Sequence, residues 1–400
     1  MPSPMPEPVP VSIPSPASTP APSASTPSTS THWPRHRAGA SLRIDLGAIA
    51  DNYRLLRQKV GAGTTCAAVV KADAYGLGLA QVAPALERAG ADHFYVAHLE
   101  EGLALRRHVA PTARIFVLHG PLPETEEEFV AHGLTPVLNS MEQIAGWREL
   151  ARREGRILPA VIQLDTGMSR FGLSMSDVRA IADDATVLQG IDPCLIISHL
   201  ACADTPDNPA NAQQRAQLIR MAALLPPAPL ALSASSGIFL GPDYHFDMVR
   251  PGAALYGIAP NETAPNPLRP VVKLSARILQ IRDIAPGDGV GYGLTYRATR
   301  PRRIATIGAG YADGCLRQGA GHGAAWFGDT RLPILGRISM DSITIDITDV
   351  PAGQLAPDMA VDLLGPHHSV DAAARAAGTI GYEILTSLGH RYHRTYVAGG

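Results

Sequence analysis

The sequence predicts an α/β fold, a (β/α)8 TIM-like barrel over residues 41–268 followed by a mainly antiparallel β domain over residues 269–400. Three observations carry this reading. Through the first region, short apolar runs rich in branched residues alternate with longer helical stretches, which implies a parallel sheet with crossover helices. Eight such runs in roughly 230 residues match the size of a closed barrel. Beyond residue 268 the helical periodicity fades, and β-rich segments separated by Pro-Gly, Gly-Asp and Gly-rich turns take over. An open doubly wound sheet is the alternative, but no Gly-x-Gly-x-x-Gly turn follows the first run.

The chain begins differently. MPSPMPEPVPVSIPSPASTPAPSASTPSTST is almost entirely Pro, Ser, Thr and Ala. Such a segment buries too little apolar area to offset its ordering entropy, so residues 1–40 are expected to form a disordered tail. It has neither the basic start nor the continuous apolar centre of a secretory signal. The barrel strands are expected at CAAVV from residue 66, HFYVA from 93, RIFVL from 114, TPVL from 135, AVIQL from 160, CLIIS from 194, LALS from 230 and DMVR from 247. Helical stretches such as MEQIAGWRELARREG and QQRAQLIRMAALL lie between them. In the second region VVKLSARILQIRDI, RRIATIGAGYADG, RLPILGRISMDSITIDITDV and MAVDLLG read as β segments, and DAAARAAG and GYEILTSLG as closing helices.

Composition excludes several classes of function. A formal net charge of -2 gives no electrostatic reason to expect nucleic acid or an anionic membrane as partner. The hydrophobic share of 46% supports a sizeable core, yet no apolar stretch approaches the roughly 20 residues that span a bilayer. Cys66, Cys194, Cys202 and Cys315 show neither metal-ligand spacing nor a disulfide framework, and are expected as reduced thiols of a cytoplasmic protein. No metal site is expected, because no pair of histidines or acids has ligand spacing together with a third partner.

Lysine usage singles out one position. Only Lys59, Lys71 and Lys273 are lysines among the 34 basic side chains. A guanidinium is too basic to act as a neutral amine, whereas a buried ammonium can be tuned to do so. Lys71 ends the first barrel run, and the competing reading is a structural ion-pair partner. Active-site groups of such barrels sit at the carboxyl ends of the strands. There the sequence places Lys71, the loop Asp165-Thr-Gly-Met-Ser-Arg170, His199, Ser235-Ser236-Gly237 and Arg250-Pro-Gly-Ala253. The loops after the seventh and eighth strands also bind phosphate in such barrels, and Ser236, Gly237, Gly252 and Ala253 would let the backbone approach it. A lysine facing a phosphate site suggests pyridoxal phosphate. An aldolase-type barrel with a catalytic lysine fits these residues comparably well.

VVKADAYGLG resembles the cofactor-lysine motif of the alanine racemase family, and LDTGMSRFG, ISHLA, FDMVRPGAALYG, VGYGLTY, GYADG, GRISMD and GYE follow in that family's order. The resemblance covers about residues 41–396. It implies a homodimer with shared active sites and pyridoxal 5'-phosphate as cofactor, acting on alanine. Lys71 would form the Schiff base and exchange the proton on the D face, while Tyr292 of the second subunit would serve the L face. Inverting a carbon needs two acid/base groups on opposite sides. A tyrosine of ordinary pKa, about 10, is a poor base at neutral pH, so a cationic neighbourhood from His199 and Arg250 is expected. Arg250 would face the pyridine nitrogen. Tyr75, Ser236, Gly252, Ala253 and Tyr382 would hold the phosphate, with Ser235 also at the cofactor. Arg170 would contact the cofactor's phenolic oxygen and the substrate carboxylate, which Met340 would meet through its backbone N–H from the second subunit. Tyr311, Arg317, Arg337 and Asp204 would line the entrance, with Asp341 nearby.

The departures are informative. Gln163 occupies the position of a lysine that is carbamylated in some relatives and braces Arg170, so an anion or the Gln163 amide must hold that arginine instead. Ser235 stands where many members have asparagine, Leu77 where many have histidine, and Ser339 in place of a frequent cysteine. A racemase of broader range, acting on serine or lysine, is the nearest alternative. A decarboxylase on the same barrel needs a different residue set, and a cofactor carrier lacks the second domain. Histidine at a single strand end, tyrosines in Gly-rich turns and arginines at a barrel rim are ordinarily structural. Their convergence on one mouth is what argues otherwise.

Overall fold

Branched residues bounded by turn residues become strands where the sequence places them. The structure is a computed structural model that describes residues 33–398. The strands of its first half are β1 (Ala40–Asp45), β2 (Thr65–Cys66), β3 (Ala68–Val69), β4 (His93–Val96), β5 (Arg114–Val117), β6 (Leu134–Leu138), β7 (Leu158–Gln163), β8 (Ile191–Ile197), β9 (Leu230–Ala234) and β10 (Met248–Arg250). Nine of these form one parallel sheet in the order β2-β10-β9-β8-β7-β6-β5-β4-β3.

That sheet closes on itself through a single pass of chain. Thr65 and Cys66 pair with Met248 and Val249 of β10, whereas Ala68 and Val69 pair with Phe94 and Tyr95 of β4. Backbone bonds alternate between the two neighbours: Ala67 N donates to Val249 O at 2.9 Å, Val69 N to Pro251 O at 2.9 Å and Val70 N to Tyr95 O at 2.9 Å. β2 and β3 are thus two halves of one strand, and the barrel has eight passes. The crossover helices follow from local chemistry. Ser140 accepts from Gln143 N to cap the helix Met141–Glu154, which buries Ile144, Trp147, Leu150 and Ala151 on one face.

The second sheet is built from β11 (Val272–Ile284), β14 (Arg302–Ile307), β15 (Ala324–Phe327), β16 (Thr330–Pro333), β17 (Ile343–Asp346), β18 (Ala360–Leu364) and β19 (His393–Val397), with β12 (Gly289–Val290) and β13 (Tyr296–Arg297) as a separate hairpin. Its main path runs β16-β15-β18-β11-β1-β19. The first strand of the chain therefore joins the last region, antiparallel to β11 and parallel to β19. The range 41–268 expected for the barrel thus opens with a strand of the other sheet. A local run such as SLRID specifies a strand but not its neighbours, since pairing partners are set by tertiary contacts. Of the expected tail, residues 1–32 lie outside the described residues. The part that is described is tied down: Trp33 O accepts from the His393 ring at 3.0 Å and Arg35 O from Arg277 Nη2 at 2.7 Å.

Two buried polar side chains connect the layers. Asn52, on the helix Leu46–Val60, donates to Leu255 O at 3.2 Å and Arg269 O at 3.0 Å, and accepts from Arg269 N at 2.7 Å. It fixes the chain as it leaves the barrel for the second sheet. Arg394 of β19 donates to Gly76 O at 2.6 Å, beyond Lys71, and to Leu388 O and Gly389 O. Asn52→Leu keeps the volume but leaves three backbone groups without their partner, the Leu255 carbonyl buried and the two of Arg269 partly so. It is expected to destabilise the protein by about 3 kcal/mol, read as a lower urea midpoint with an unchanged m-value.

Candidate active site

The carboxyl ends of the barrel strands gather around a cavity of about 410 Å³. Lys71, Tyr75, Arg170, His199, Ser235, Arg250, Gly252, Ala253 and Tyr382 line it, all of them expected from the sequence. Burial, and after it the Arg170 guanidinium, push the Lys71 amine below the ordinary lysine range, with Glu101 opposing. The other two lysines are otherwise engaged. Lys59 lies 4.9 Å from the centre of the Phe239 ring, and Lys273 pairs with Asp362 at 2.8 Å. Glu101, the carboxylate near Lys71, spends Oε1 on Ala72 N and Oε2 on Ala97 N and His98 N. Among the described residues no carboxylate stands within ion-pair distance of Lys71, and Glu101 acts on it only from further away.

The backbone just past Lys71 is strained. Ala72, Asp73, Ala74 and Tyr75 all have φ between 53° and 56°, a left-handed turn built from residues with side chains. Each costs roughly 1–2 kcal/mol. Specific bonds hold the turn: Ala72 N to Glu101 Oε1 at 2.7 Å, Leu79 N to Asp73 Oδ1 at 2.7 Å and Ala74 N to Val70 O at 3.0 Å. Its product is the placement of Tyr75, whose ring packs 4.7 Å from Tyr256 and 6.2 Å from Tyr382. A Cβ at Gly252 would collide with the Tyr75 hydroxyl, so glycine is required there. Nearby, Ser235 Oγ accepts from Gly252 N at 3.0 Å and Ala254 N at 3.1 Å, joining the loops after β9 and β10. The Ser236 side chain is close enough to Tyr382 to oppose the upward shift of its pKa. Burial raises the pKa of both Tyr75 and Tyr382, which keeps them neutral donors.

Arg250 is buried and donates through Nη2 to Ser198 O at 2.6 Å and Leu232 O at 3.3 Å. Its Nη1 is also buried and has no partner. A buried donor without an acceptor is costly, and an unprotonated ring nitrogen is the kind of acceptor it lacks. With donor tyrosines, serines and a glycine cradle facing it across the cavity, this donor set fits pyridoxal phosphate. His199 is pushed down to about 3 by burial, then by Arg250, Arg170 and Lys71. It is neutral at physiological pH. His199 therefore adds no positive charge beside the Arg170 and Arg250 guanidiniums, which removes it from the cationic neighbourhood expected for it.

Other expected residues lie elsewhere on this chain. Tyr292 is 70% exposed on the turn Tyr292–Leu294, Met340 is 52% exposed, and Tyr311 is 42% exposed. None of the three lines the Lys71 cavity of its own chain. Arg337 packs against Gly293, Arg317 opens the turn Arg317–Gly319, and Asp341 pairs with Arg391 at 2.6 Å. Asp204 is close enough to raise the Tyr382 pKa. Gln163 lines the cavity, as do His119 and Phe171, which sequence reasoning missed. His119 follows directly on the RIFVL run, so the strand-end rule that found Lys71 would have found it too. Among the described residues no three His, Cys, Asp or Glu side chains gather as a metal site, and no helix is long and apolar enough to cross a membrane.

Comparison with known proteins agrees with this architecture. Residues 44–260 match the alanine racemase N-terminal domain and residues 271–396 the alanine racemase C-terminal domain. A catabolic alanine racemase of Mesorhizobium japonicum is 55% identical over 373 residues, covering 93% of this chain and 97% of that one. An alanine racemase of Brucella ovis is 50% identical, covering 90% and 94%. The crystal structure of alanine racemase from Bartonella henselae with covalently bound pyridoxal phosphate superposes with a TM-score of 0.87 at 42% identity, covering 90% of this chain and all of that one.

The neutral, buried His199 has a consequence for stability. Its pKa is lower folded than unfolded, so its contribution is complete above about pH 6.5 and is lost as pH falls toward about 3. Across that window His199→Gln should lose up to about 1.4 kcal/mol less stability per pH unit than the unaltered protein. Denaturant titrations at a series of pH values measure the difference.

Proposed function

The chain belongs to the alanine racemase family, and from that premise we propose that it interconverts L- and D-alanine, with Lys71 and Tyr292 as the two proton-transfer groups. When bound, pyridoxal 5'-phosphate withdraws electrons from the α-carbon of an amino acid joined to it and makes the α-hydrogen acidic. The residues supply the rest. Lys71 would hold the cofactor and, as a neutral amine, would take or return the α-proton on one face. The phenol of Tyr292 from a second copy of the chain would do so on the other face. Tyr75, Ser236, Gly252, Ala253 and Tyr382 would hold the phosphate. Arg250 would donate to the ring nitrogen. Neutral His199 fills the space among the cations without adding to their repulsion. Arg170, with the Met340 backbone N–H of the second copy, receives the substrate carboxylate, while Tyr311, Arg317, Arg337 and Asp204 line the approach.

The observation that carries this reading is the half-buried Lys71 amine, its pKa lowered by desolvation, in one cavity with Arg250, whose Nη1 has no partner among the described residues, and with the neutral Tyr75 and Tyr382. A homodimer is supported by the exposure of Tyr292, Met340 and Tyr311, none of which lines the Lys71 cavity of its own chain. We place the reaction in the cytoplasm, supplying D-alanine for peptidoglycan or degrading it.

Two measurements test the assignment. α-Deuterated L- and D-alanine should both lose deuterium to water, far faster than serine or lysine; retention of the label in both enantiomers would end the racemase reading. Tyr292→Phe should keep its cofactor absorbance while racemisation falls by about 10²–10⁴-fold. D-alanine should still lose its label through Lys71. Near-normal racemisation by this variant would remove Tyr292 from its role.

A further inference from the structure

We infer that His119 and Phe171 are positioning residues that orient the Arg170 guanidinium through a stack of rings anchored on the loops after β4 and β5. This rests on the reading of Arg170 as the carboxylate receptor. Arg170 needs a holder. Among the described residues no carboxylate stands within ion-pair distance of it, and no hydrogen bond joins it to Gln163, the amide expected to brace it. Its loop is fixed in the backbone only. Asp165 Oδ1 accepts from Gly167 N, Met168 N and Ser169 N at 2.9–3.1 Å, and the neck is closed by Asp165 N to Leu173 O at 3.0 Å and Leu173 N to Gln163 O at 2.8 Å. None of these bonds reaches the guanidinium.

What does reach it is aromatic. The Arg170 Cζ lies 5.8 Å from the centre of the Phe171 ring. Phe171 in turn packs on His119 with centroids 5.2 Å apart, and His98 meets His119 edge-on at 4.4 Å. The far end of this stack is rigid. His119 N donates to Ala97 O at 3.0 Å and its carbonyl accepts from Gln143 Nε2 at 2.8 Å. His98 N donates to Glu101 Oε2, the same carboxylate whose other oxygen holds the residue after Lys71. Burial and then His98 lower the His119 pKa, so its ring packs as a neutral face beside Arg170 and does not repel it. A guanidinium over an aromatic face is attracted by the ring quadrupole and restricted in orientation. The stack thus registers Arg170 against the frame that holds Lys71.

The test uses the cofactor-loaded protein and propionate, which is alanine without its amine, as a calorimetric probe of the carboxylate site. Phe171→Ala and His119→Ala should each weaken propionate binding and raise the KM for alanine by about three- to ten-fold, since orientation and not chemistry is lost. Their kcat should stay within about two-fold, with cofactor absorbance and thermal midpoint unchanged. Phe171→Tyr and His119→Phe should restore affinity, because a ring is all that is required. Unchanged propionate binding in both alanine variants, or a parallel fall of kcat, KM and thermal midpoint without rescue by the aromatic variants, overturns the inference. Arg170→Gln separates the two levels. If that variant itself binds propionate normally, the carboxylate reading fails and the inference with it. If it loses propionate binding while the alanine variants do not, only the stack is refuted.

Discussion

A half-buried amine beside guanidiniums is the constraint on which the site depends. Lys71, Arg170 and Arg250 all act on His199, and of the acidic groups only Glu101 acts on Lys71. Both oxygens of Glu101 are already bonded to backbone N–H groups. The protein therefore leaves its own positive potential largely uncompensated. Two responses follow. Lys71 and His199 are driven toward their neutral forms, which is the state a nucleophilic amine needs. The cavity is also left complementary to anions, and a phosphate and a carboxylate are the anions its donors are arranged to receive.

Such a site is held by both parts of the fold. The turn after Lys71 is left-handed, and its bonds come from Glu101 on one side and from the second sheet on the other. Arg394 of β19 holds Gly76 O, and a Cβ on Gly76 would stand 2.6 Å from Leu385 O in the helix Gly381–Thr386. That helix carries Tyr382 into the cavity. Closing the barrel through one split strand and threading β1 into the far sheet both serve this contact, since they bring the turn and the helix to a common wall. A second cavity, apolar and of about 80 Å³, lies behind the same helix beside Ile384 and Leu388 and brings no comparable set of polar groups together.

How far this was legible in the sequence depends on the range of the interaction involved. The barrel strands were legible because branched residues between turn residues report burial locally. The sheet to which β1 belongs was not, because Ala40–Asp45 carries no mark of its partners. The left-handed turn was not either: Ala72, Ala74 and Tyr75 are poor residues for positive φ, and the bond from Ala72 N to Glu101 that helps hold it comes from a distant segment. Lys71, Arg170, His199, Ser235 and Arg250 could be read from strand ends alone. Tyr75 and Tyr382 needed the resemblance, as did Tyr292 and Met340, whose exposure on a single chain gives them no local signature. His119 was missed by applying the strand-end rule to some strands and not to others.

Arg250 explains why base placement matters so much here. Nη2 is committed to two carbonyls, and among the described residues Nη1 has no acceptor for its N–H groups. A carboxylate in that place would stabilise a proton on the ring nitrogen and strengthen its pull on electrons. A guanidinium keeps its own proton and can only donate. Under the proposed function the pull would then be weaker and proton removal harder, which would shift the burden to the groups that move the proton. Those groups must stand at the right distance in the right protonation state before substrate arrives. The strained turn, the neutral imidazole and the half-buried amine are three parts of that one requirement.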